Sequence, residues 1–547
     1  MKRARPMQKI LMGMAVLVLL TAASGVGDLG LSTSYAGPSL EPAVAAKLSP
    51  RAADMLLRGN PGAPVKMIVT TGQSTSLDVA TLLQMGGKVT RQYAQLDSYA
   101  VSLPARAIRQ LAGLPNVRHV SVDHPVQVLN DLNYVTLGAD IAKKNLGLNG
   151  HDVVIAVLDT GIYKHPDLGS RLTKEVDFAA TEKDYVDYYG HGTHVAGIIA
   201  GNAHDSSDAK SFRRFYGVAP DSKLISVRVL GRDGTGYVSD VLAGIDWVIA
   251  NRAGQKIRVM NLSLGHAVEE SYLTDPLCQA VEKAWKAGIV VVVSAGNNGS
   301  LGYGTIGSPG NDPYVITVGA SNNYLTSYRG DDILATYSSL GPTAIDHFVK
   351  PDLVAPGNRT ISLRSPASAL DSTYPGLRKK YGVFNNDPNK ANQDSPYFEL
   401  SGTSMSAAVV SGMAAILIDA DNSLSPDTVK ARLMRSAEKR LSYNIFQVGA
   451  GFANLYAALQ ERGIALLPSL SPRAYLTSTG IVVESTNLLW GNPLSWDEIS
   501  IWGGDPLRNT DEVGSYGAVW GGGGTLRGFS VDSHDGVVFG DNDPMVP

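Results

Sequence analysis

Five short and nearly continuous apolar runs restrict the fold of this chain more than any other feature of its sequence. Because the runs lack polar alternation, they are typical of strands buried on both faces of a sheet. Helical spacing separates several of them, and this alternation predicts an α/β fold: a parallel sheet flanked by helices. The runs cover residues 153–158, 224–229, 259–262, 290–293 and 315–318, and the helical stretches cover 194–200, 238–249 and 277–286.

Three polar residues stand at or just past the ends of these predicted strands: Asp159, Ser263 and Asn297. In an open parallel sheet, reactive groups gather at the edge formed by the carboxyl ends of the strands. We therefore expect a functional site at that edge, built from segments that follow different strands.

Three glycine-containing segments carry the side chains of a proton-relay site. They read AVLDTG at 156–161, HGTHVAG at 191–197 and SGTSMSA at 401–407. A serine hydroxyl is a poor nucleophile unless a base accepts its proton and a carboxylate orients that base. Asp159, His191 and Ser404 offer these groups, and Asn297, in SAGNNG at 294–299, can donate a hydrogen bond to developing negative charge.

In this order, the segments resemble those of the subtilisin-like serine proteases, the subtilases, over about residues 130–460. The resemblance implies that Asp159 orients the base, His191 is the general base, Ser404 is the nucleophile and Asn297 is an oxyanion donor. It also implies a secreted serine endopeptidase that hydrolyses peptide bonds through an acyl-enzyme and is made as a self-processing precursor. The chemistry itself needs no cofactor.

The resemblance further assigns residues that bind substrate. Two family strands hold an extended peptide between them, so that main-chain hydrogen bonds supply affinity and side-chain pockets supply selectivity. Their counterparts here are Gly234, Thr235, Gly236, Ser263, Leu264 and Gly265. Gly307 matches the floor of the main pocket, and a glycine floor without a nearby acid predicts a roomy apolar pocket rather than one for Lys or Arg.

We expect five parts along the chain. Residues 1–23 have the basic start and apolar run of an export signal peptide, and 24–63 have the Ser, Gly, Ala and Pro content of a linker. Residues 64–128 have the β-α-β-β-α-β pattern of a ferredoxin-like α+β unit and resemble the inhibitory propeptide of subtilases, removed by self-cleavage within 126–131. Residues 129–463 form the catalytic domain, and 464–547 are a Gly- and Trp-rich extension of unknown role, expected to be a small β tail.

Composition limits the partners. Lys and Arg total 47 and Asp and Glu total 50, so the net charge of −3 gives no general attraction to nucleic acid. No apolar stretch after residue 23 is long enough to span a bilayer, so we expect no stable membrane anchor and an extracellular location, either free or at the cell surface. The expected partners are polypeptide substrates and the chain's own propeptide. Asp167, in HPDL at 165–168, matches a calcium ligand of the family, which makes structural calcium the candidate cofactor.

Other classes of protein share parts of this pattern. Asp-Thr-Gly also marks aspartic proteases, but these need two such aspartates, which only a homodimer could supply here. His191 and His194 could form a metal pair, although the glutamate and spacing of a zincin are absent. Ser404 could also be the nucleophile of an α/β-hydrolase, but the Gly-x-Ser-x-Gly elbow of that class is absent because Ser406 stands where its last glycine would be. A non-catalytic scaffold with a polymer-binding tail, and a processing protease with one partner, are the further alternatives.

Some features depart from the family or lack a role. Ala408 and Val409 stand where the serine motif usually continues with Pro and His, which changes the helix locally but not the triad. Segment 364–398 is long for the loop before the serine strand, and a lid, a metal-binding loop or a solvated insertion would account for it. We favour the solvated insertion. Asp187, four residues before His191, either lines the pocket or solvates its loop.

Overall fold

The computed structural model describes residues 40–72, 76–93, 98–122, 135–179, 186–478, 480–484, 510 and 536–537. By its contacts the chain divides into two units, Met1–Pro125 and Val126–Pro547. The predicted signal peptide and the predicted self-cleavage segment lie outside the described residues, and so do four tryptophans of the tail: Trp490, Trp496, Trp502 and Trp520.

In the first unit, four antiparallel strands carry helices in the expected β-α-β-β-α-β order. The sheet order is β2-β3-β1-β4, and the apolar core includes Met67, Leu82, Ile108 and Val120. The elements are α1 Pro42–Ala45, α2 Pro50–Arg58, β1 Pro64–Thr71, α3 Val79–Gln84, β2 Lys88–Tyr93, β3 Ser98–Pro104, α4 Ile108–Gly113 and β4 Val117–Val122.

Helices α1 and α2 lie inside the expected linker 24–63, so the second half of that segment is structured. Ser49 caps α2 by accepting the Ala52 N–H at 3.3 Å, and Val44, Leu48 and Ala52 are buried in the core of the unit. Ser and Pro at 49–50 gave this segment its linker-like composition, but here they are the N-cap and first residue of a helix.

The second unit is built on a parallel sheet. Its strand order is β6-β7-β5-β9-β10-β11, all parallel, and β11 also pairs with β13 in parallel and with β12 in antiparallel orientation. The strands of the unit are β5 Val154–Asp159, β6 Leu172–Asp177, β7 Lys223–Arg228, β8 Gly236–Tyr237, β9 Ile257–Leu262, β10 Val290–Ser294, β11 Ile316–Asn322, β12 Ile333–Leu334, β13 Leu353–Pro356, β14 Thr360–Leu363, β15 Arg378–Lys380, β16 Asp394–Leu400, β17 Ala474–Thr477, β18 Gly480–Val483 and β19 Gly536–Val537.

Two pairs of helices pack on this sheet. The helix His191–Ala200 packs with the helix Thr403–Ala420, and Val238–Gln255 packs with Pro276–Lys286. Strands β5 and β10 are buried along their whole length, as a sheet covered by helices on both faces requires. The helices are α5 Ala139–Ile141, α6 His191–Ala200, α7 Val238–Gln255, α8 Pro276–Lys286, α9 Ala369–Thr373, α10 Thr403–Ala420, α11 Pro426–Ser436, α12 Ile445–Val448 and α13 Leu455–Gln460.

Helix α10 lies at the centre of the core. Its residues are buried from Thr403 to Ile418, and it contacts β5, β9, β10, β11 and β13. We expected no stretch after residue 23 to be long and apolar enough to span a bilayer, but within the described part of the chain this one helix meets both criteria. Since 89% of its apolar window is buried inside the protein, we interpret it as a core helix.

The inserted segment 364–398, which we favoured as a solvated insertion, exposes many of its residues but also contains regular structure. It forms α9, β15 and part of β16, and strands β14, β16 and β15 make a small antiparallel sheet. The rings of Phe384 and Tyr397 pack against Phe215, with centroids 5.3 Å and 4.5 Å from its ring. The polar residues Asn386 and Asn389 are exposed in the connection between β15 and β16.

Two buried lysines neutralise a buried aspartate next to β13. Lys350 Nζ lies 2.7 Å from Asp352 Oδ2, and Lys430 Nζ lies 3.2 Å from Oδ1. Burial alone would raise the pKa of Asp352, but the two ammonium groups outweigh burial and hold the pKa below its ordinary value. Asp352 therefore stabilises the fold as a carboxylate.

Asp312 is equally buried but has weaker support. Its Oδ1 accepts the Tyr314 N–H at 2.9 Å, whereas Oδ2 has no hydrogen-bond partner among the described residues. Burial raises the pKa of Asp312 to about 7, although Lys350 and Lys430 act in the opposite direction. The folded protein therefore favours the protonated form of this side chain in mildly acidic solution.

Asp312→Asn should make the free energy of unfolding less dependent on pH. A carboxyl with a raised pKa stabilises the fold below its unfolded pKa and loses that contribution as the pH rises through the folded value. Asparagine keeps the acceptor for Tyr314 and is never charged. We therefore expect the free energy of unfolding of the variant, measured relative to that of the parent, to be on the order of 2–4 kcal/mol larger at about pH 8 than at about pH 5.

Urea unfolding at the two pH values, in a Ser404→Ala background that prevents self-digestion, measures this gain. Asp352→Asn is the control: it should lose stability because it leaves Lys350 and Lys430 without their buried partner, and the loss should be larger at about pH 5, since burial lowers the pKa of Lys430 to about 7 and the side chain is charged below that value. Equal changes at both pH values for Asp312→Asn would contradict the raised pKa.

Candidate active site

Asp159 ends strand β5 and contacts His191, the first residue of helix α6. The Asp159 side chain is fully buried, and His191 Nδ1 lies 2.9 Å from Oδ1 and 3.0 Å from Oδ2. The Thr160 N–H donates to Oδ1 at 2.7 Å. Because an ionised carboxylate only accepts hydrogen bonds, this contact assigns the ring proton to Nδ1 and makes Nε2 the basic nitrogen.

Glycines on both sides of His191 allow this close approach. Gly190 has φ +103°, a conformation that residues with a Cβ rarely adopt. A Cβ on Gly192 would lie 2.1 Å from the Gly161 carbonyl oxygen and 3.1 Å from the Asp159 side chain. A larger residue at 192 would therefore separate α6 from the end of β5 and lengthen the contact between His191 and Asp159.

Ser404 is the second residue of helix α10, and it is linked to the end of β9 in both directions. Its hydroxyl donates to the Ser263 carbonyl oxygen at 3.3 Å, and the Ser263 hydroxyl donates to the Ser404 carbonyl oxygen at 3.0 Å. The first N–H groups of a helix lack intrahelical partners and attract negative charge. The start of α10 therefore presents both a hydroxyl and a set of donors.

The two halves of the site are fixed next to each other by strand register. β5 pairs with β9 so that Leu158 lies opposite Leu262, and Asp159 and Ser263 follow as neighbours, about 4.8 Å apart across the ladder. Asp159 holds His191, Ser263 holds Ser404, and α6 packs against α10. The structure thus joins Asp159 to His191 directly, and it attaches Ser404 to Ser263 at the end of the neighbouring strand, on a helix that packs against the one carrying His191.

Asn297 follows strand β10 and is oriented by Thr403. Its Oδ1 accepts the Thr403 N–H at 2.9 Å and the Thr403 hydroxyl at 3.0 Å. Because both contacts engage the carbonyl side of the amide, they assign Nδ2 to the other side, where it can act as a donor. Sequence reasoning missed Thr403, although it directly precedes Ser404 in the motif.

The second histidine of the motif has a different environment. His194 is fully buried, and its Nε2 lies 3.1 Å from the carbonyl oxygens of Thr360 and Phe398. Burial lowers the pKa of His194 to about 3, so the ring is neutral and donates to these carbonyls. His191 and His194 therefore contact separate partners and do not form the metal pair considered from the sequence.

Asp187 neither lines a pocket nor solvates its loop. It is almost completely buried, and it accepts hydrogen bonds from Thr160, Gly190 and Thr193. Burial raises the pKa of Asp187, and the hydrogen bonds from Thr193, Gly190 and Thr160 oppose this rise. A carboxylate with several donors four residues before His191 belongs to the architecture of the site, a role that the sequence alone did not give.

The segments predicted to bind substrate border this site but are only partly strands. Gly234 and Thr235 lie in a turn closed by the Gly231 N–H and the Thr235 carbonyl at 2.7 Å, and Gly236 begins the two-residue strand β8. Strand β19 pairs with β8 in antiparallel orientation, so this backbone accepts an extended chain. Ser263, Leu264 and Gly265 directly follow β9 without being part of it.

Gly307 lies beside a short backbone bridge between His266 and Ser308. A Cβ on Gly307 would lie 3.0 Å from the His266 carbonyl oxygen, so glycine keeps this turn close to the chain after Gly265. The structure also brings an acid nearby that the sequence did not reveal. Asp275 Oδ2 accepts the Ser308 hydroxyl at 2.6 Å, and its Oδ1 caps helix α8 through the Leu277 N–H at 2.8 Å.

Asp167 belongs to a cluster with His165 and Asp205, whose ligand atoms lie within 4.8 Å of one another. Protein donors already contact both oxygens of Asp167: the Asp205 N–H binds Oδ1 at 2.8 Å and the Tyr397 hydroxyl binds Oδ2 at 2.8 Å. His165 Nδ1 accepts the Asp167 N–H at 3.1 Å. Calcium takes six to eight oxygen ligands, and this mixed and hydrogen-bonded set fits it poorly.

Comparisons with known proteins agree with this geometry. The sequence matches the subtilase family over residues 150–453. It is 36% identical to serine protease AprX of Bacillus subtilis (strain 168) over 374 residues, which cover 67% of this chain and 80% of the relative. It is 33% identical to subtilisin NAT of Bacillus subtilis subsp. natto, over 69% of this chain and 84% of the relative, and 34% identical to subtilisin Savinase of Lederbergia lenta, over 58% and 94%.

The family match covers more than half of the chain, and it spans Asp159, His191, Asn297 and Ser404 together with the parallel sheet that carries them. This chain therefore belongs to the subtilase family and is a serine endopeptidase of the subtilisin type.

Proposed function

We propose that Ser404 is the nucleophile, His191 the general base, Asp159 the residue that orients it and Asn297 an oxyanion donor in a secreted, self-processing endopeptidase. The observation that carries this assignment is the buried contact of His191 Nδ1 with both oxygens of Asp159, 2.9 Å and 3.0 Å long. A homodimeric aspartic protease would need Asp159 to face a second aspartate, not an imidazole.

In this mechanism the Ser404 hydroxyl attacks the scissile carbonyl carbon while His191 Nε2 takes its proton. Asp159 stabilises the imidazolium through Nδ1–H. The oxyanion receives hydrogen bonds from the Asn297 amide and from the N–H groups at the start of α10. His191 then returns the proton to the departing amine, and a water molecule hydrolyses the acyl-enzyme by the same route.

A polypeptide substrate would bind as an extended strand along Gly234, Thr235 and Gly236 on one side and along Ser263, Leu264 and Gly265 on the other. The antiparallel pairing of β19 with β8 supports this mode, because it is a main-chain contact of the same type. The main-chain hydrogen bonds recognise any extended peptide, and the side-chain pockets discriminate between peptide sequences. A degradative enzyme and a processing enzyme with one partner both fit it.

The first unit supports a role as intramolecular inhibitor, since its β-α-β-β-α-β fold is the one expected from its resemblance to subtilase propeptides. Export is supported by the basic and apolar pattern of residues 1–23, and cleavage within 126–131 would release the mature enzyme. For the tail we propose packing on the enzyme; its described parts include the hairpin of β17 and β18 and strand β19, which pairs with β8.

Ser404→Ala should abolish both peptide hydrolysis and release of the first unit, with a loss of about 10⁶-fold in kcat. Refolding the precursor and sequencing every new N-terminus measures both reactions in one sample. The parent protein should react with a fluorophosphonate probe and be insensitive to pepstatin. Continued self-processing of Ser404→Ala, with unchanged cleavage sites, would refute the assignment of the nucleophile.

A peptide library should show cleavage after large apolar residues and no strict requirement for Lys or Arg. The reason is the glycine floor at Gly307 and the engagement of Asp275 in the cap of α8 and in the Ser308 contact. The library is run on the parent and on Asp275→Asn. If basic residues dominate in the parent and disappear in the variant, the pocket is acidic and the prediction is wrong.

Structural calcium is common in subtilases, but we propose that Asp167 is held by protein donors instead. If so, removal of calcium from this cluster by a chelator should leave the melting temperature of the protein unchanged. Tyr397→Phe should lower the free energy of unfolding by about 1–3 kcal/mol, because it leaves a buried carboxylate oxygen without its hydroxyl donor. A chelator-induced drop in melting temperature that disappears in Asp167→Asn would contradict the proposal.

A further inference from the structure

Asp187 lies between the two elements that carry Asp159 and His191. We propose that Asp187 is a positioning residue that, together with Thr160, fixes the start of helix α6 against the end of strand β5 and thereby holds His191 in line with Asp159. This inference rests on the proposed function, because it assigns a role within the same site.

The carboxylate contacts residues on both sides of His191. Asp187 Oδ1 accepts the Gly190 N–H at 2.7 Å, and Oδ2 accepts the Thr193 N–H at 2.8 Å as well as the Thr193 hydroxyl. These contacts fix the residue before His191 and the second residue after it. The first turn of α6 is therefore attached to Asp187 independently of the contact between His191 and Asp159.

The same carboxylate reaches the strand that carries Asp159. The Thr160 hydroxyl donates to Asp187 Oδ1 at 2.8 Å, and it accepts the Gly192 N–H at 3.0 Å. The N–H of Thr160 donates to Asp159 Oδ1 at 2.7 Å. Thr160 thus joins the two buried carboxylates and the helix, so a shift of Asp187 would move both the orienting acid and the base.

The loop that holds Asp187 is itself fastened by the inserted segment 364–398. The Ser365 hydroxyl donates to the Asp187 carbonyl oxygen at 2.8 Å. The N–H groups of Ala369 and Leu370 donate to the carbonyl oxygens of the two residues that follow Asp187, Tyr188 at 2.8 Å and Tyr189 at 3.0 Å. The insertion therefore immobilises the backbone around Asp187 and leaves its carboxylate to face the site.

Thr160 offers a test that changes the bridge without changing the shape of the core. Thr160→Val removes the hydroxyl at nearly constant volume, and Thr160→Ser retains it. We expect Thr160→Val and Asp187→Asn each to lower kcat by about 10–100-fold with KM within about threefold, because misplacing the base affects the transition state and not peptide binding. Thr160→Ser should restore kcat to within about threefold of the parent, and the double variant should be little worse than either single one, since both act through one bridge.

The assay uses the full chain: initial rates on a peptide substrate, the first-order rate of self-processing, and the melting temperature of each variant. Asp419→Asn is the matched control. Asp419 accepts the N–H groups of Asn149 and Gly150 at 3.1 Å and 3.0 Å, but it lies near the far end of α10, about 22 Å from Ser404. This variant should lose stability and keep the kcat of the parent.

A purely structural role for Asp187 would give lower melting temperatures with unchanged kcat in the folded fraction, and this result would overturn the proposal. Equal losses in Thr160→Val and Thr160→Ser would overturn it too, and the Thr160 pair decides the question if Asp187→Asn does not fold. Activity that persists in Ser404→Ala would instead refute the proposed function, so the two failures can be told apart.

Discussion

The site depends on one buried contact, between the carboxylate of Asp159 and the imidazole of His191. Removing a carboxylate from water is costly unless donors replace the lost hydration. Here the donors are the ring N–H and the Thr160 backbone, and the helix that carries the ring can approach Asp159 only because residue 192 has no Cβ. The Asp-Thr-Gly and His-Gly-Thr sequences are thus two halves of a single packing requirement.

The parallel sheet converts distant segments of the chain into neighbours. β5 and β9 run side by side, so the residues that follow them, Asp159 and Ser263, emerge at adjacent places on one edge. Helix α10 returns through the core and begins at this edge, where Ser263 and Ser404 hold each other through reciprocal hydrogen bonds. Because α10 is buried along almost its whole length, its first turn cannot shift without disturbing the core.

The sequence predicted the core strands and the motif residues because both follow short-range rules. Apolar runs buried on two faces were visible directly, and β5, β9 and β10 begin and end within about three residues of the expected positions. The helices in segment 42–58 were missed because Ser and Pro can indicate either a linker or a helix start. The regular structure of the inserted segment was missed because the segment packs on Phe215, an aromatic residue far away in the sequence that no local pattern links to Tyr397.

The roles of the buried aspartates could not be read from the sequence, because their surroundings decide those roles. Asp352 pairs with two lysines and is a structural anion, whereas the Asp312 carboxyl accepts backbone N–H groups, and burial raises its pKa to about 7 despite the same two lysines. Asp187 faces hydroxyl and backbone donors that keep their protons at neutral pH, so it can fix geometry but cannot take part in proton transfer. Asp159 alone among these four faces an imidazole, a donor whose opposite ring nitrogen can act as a base. Burial gives all four carboxyl groups a structural role, and the imidazole of His191 makes one of them, Asp159, part of a reaction.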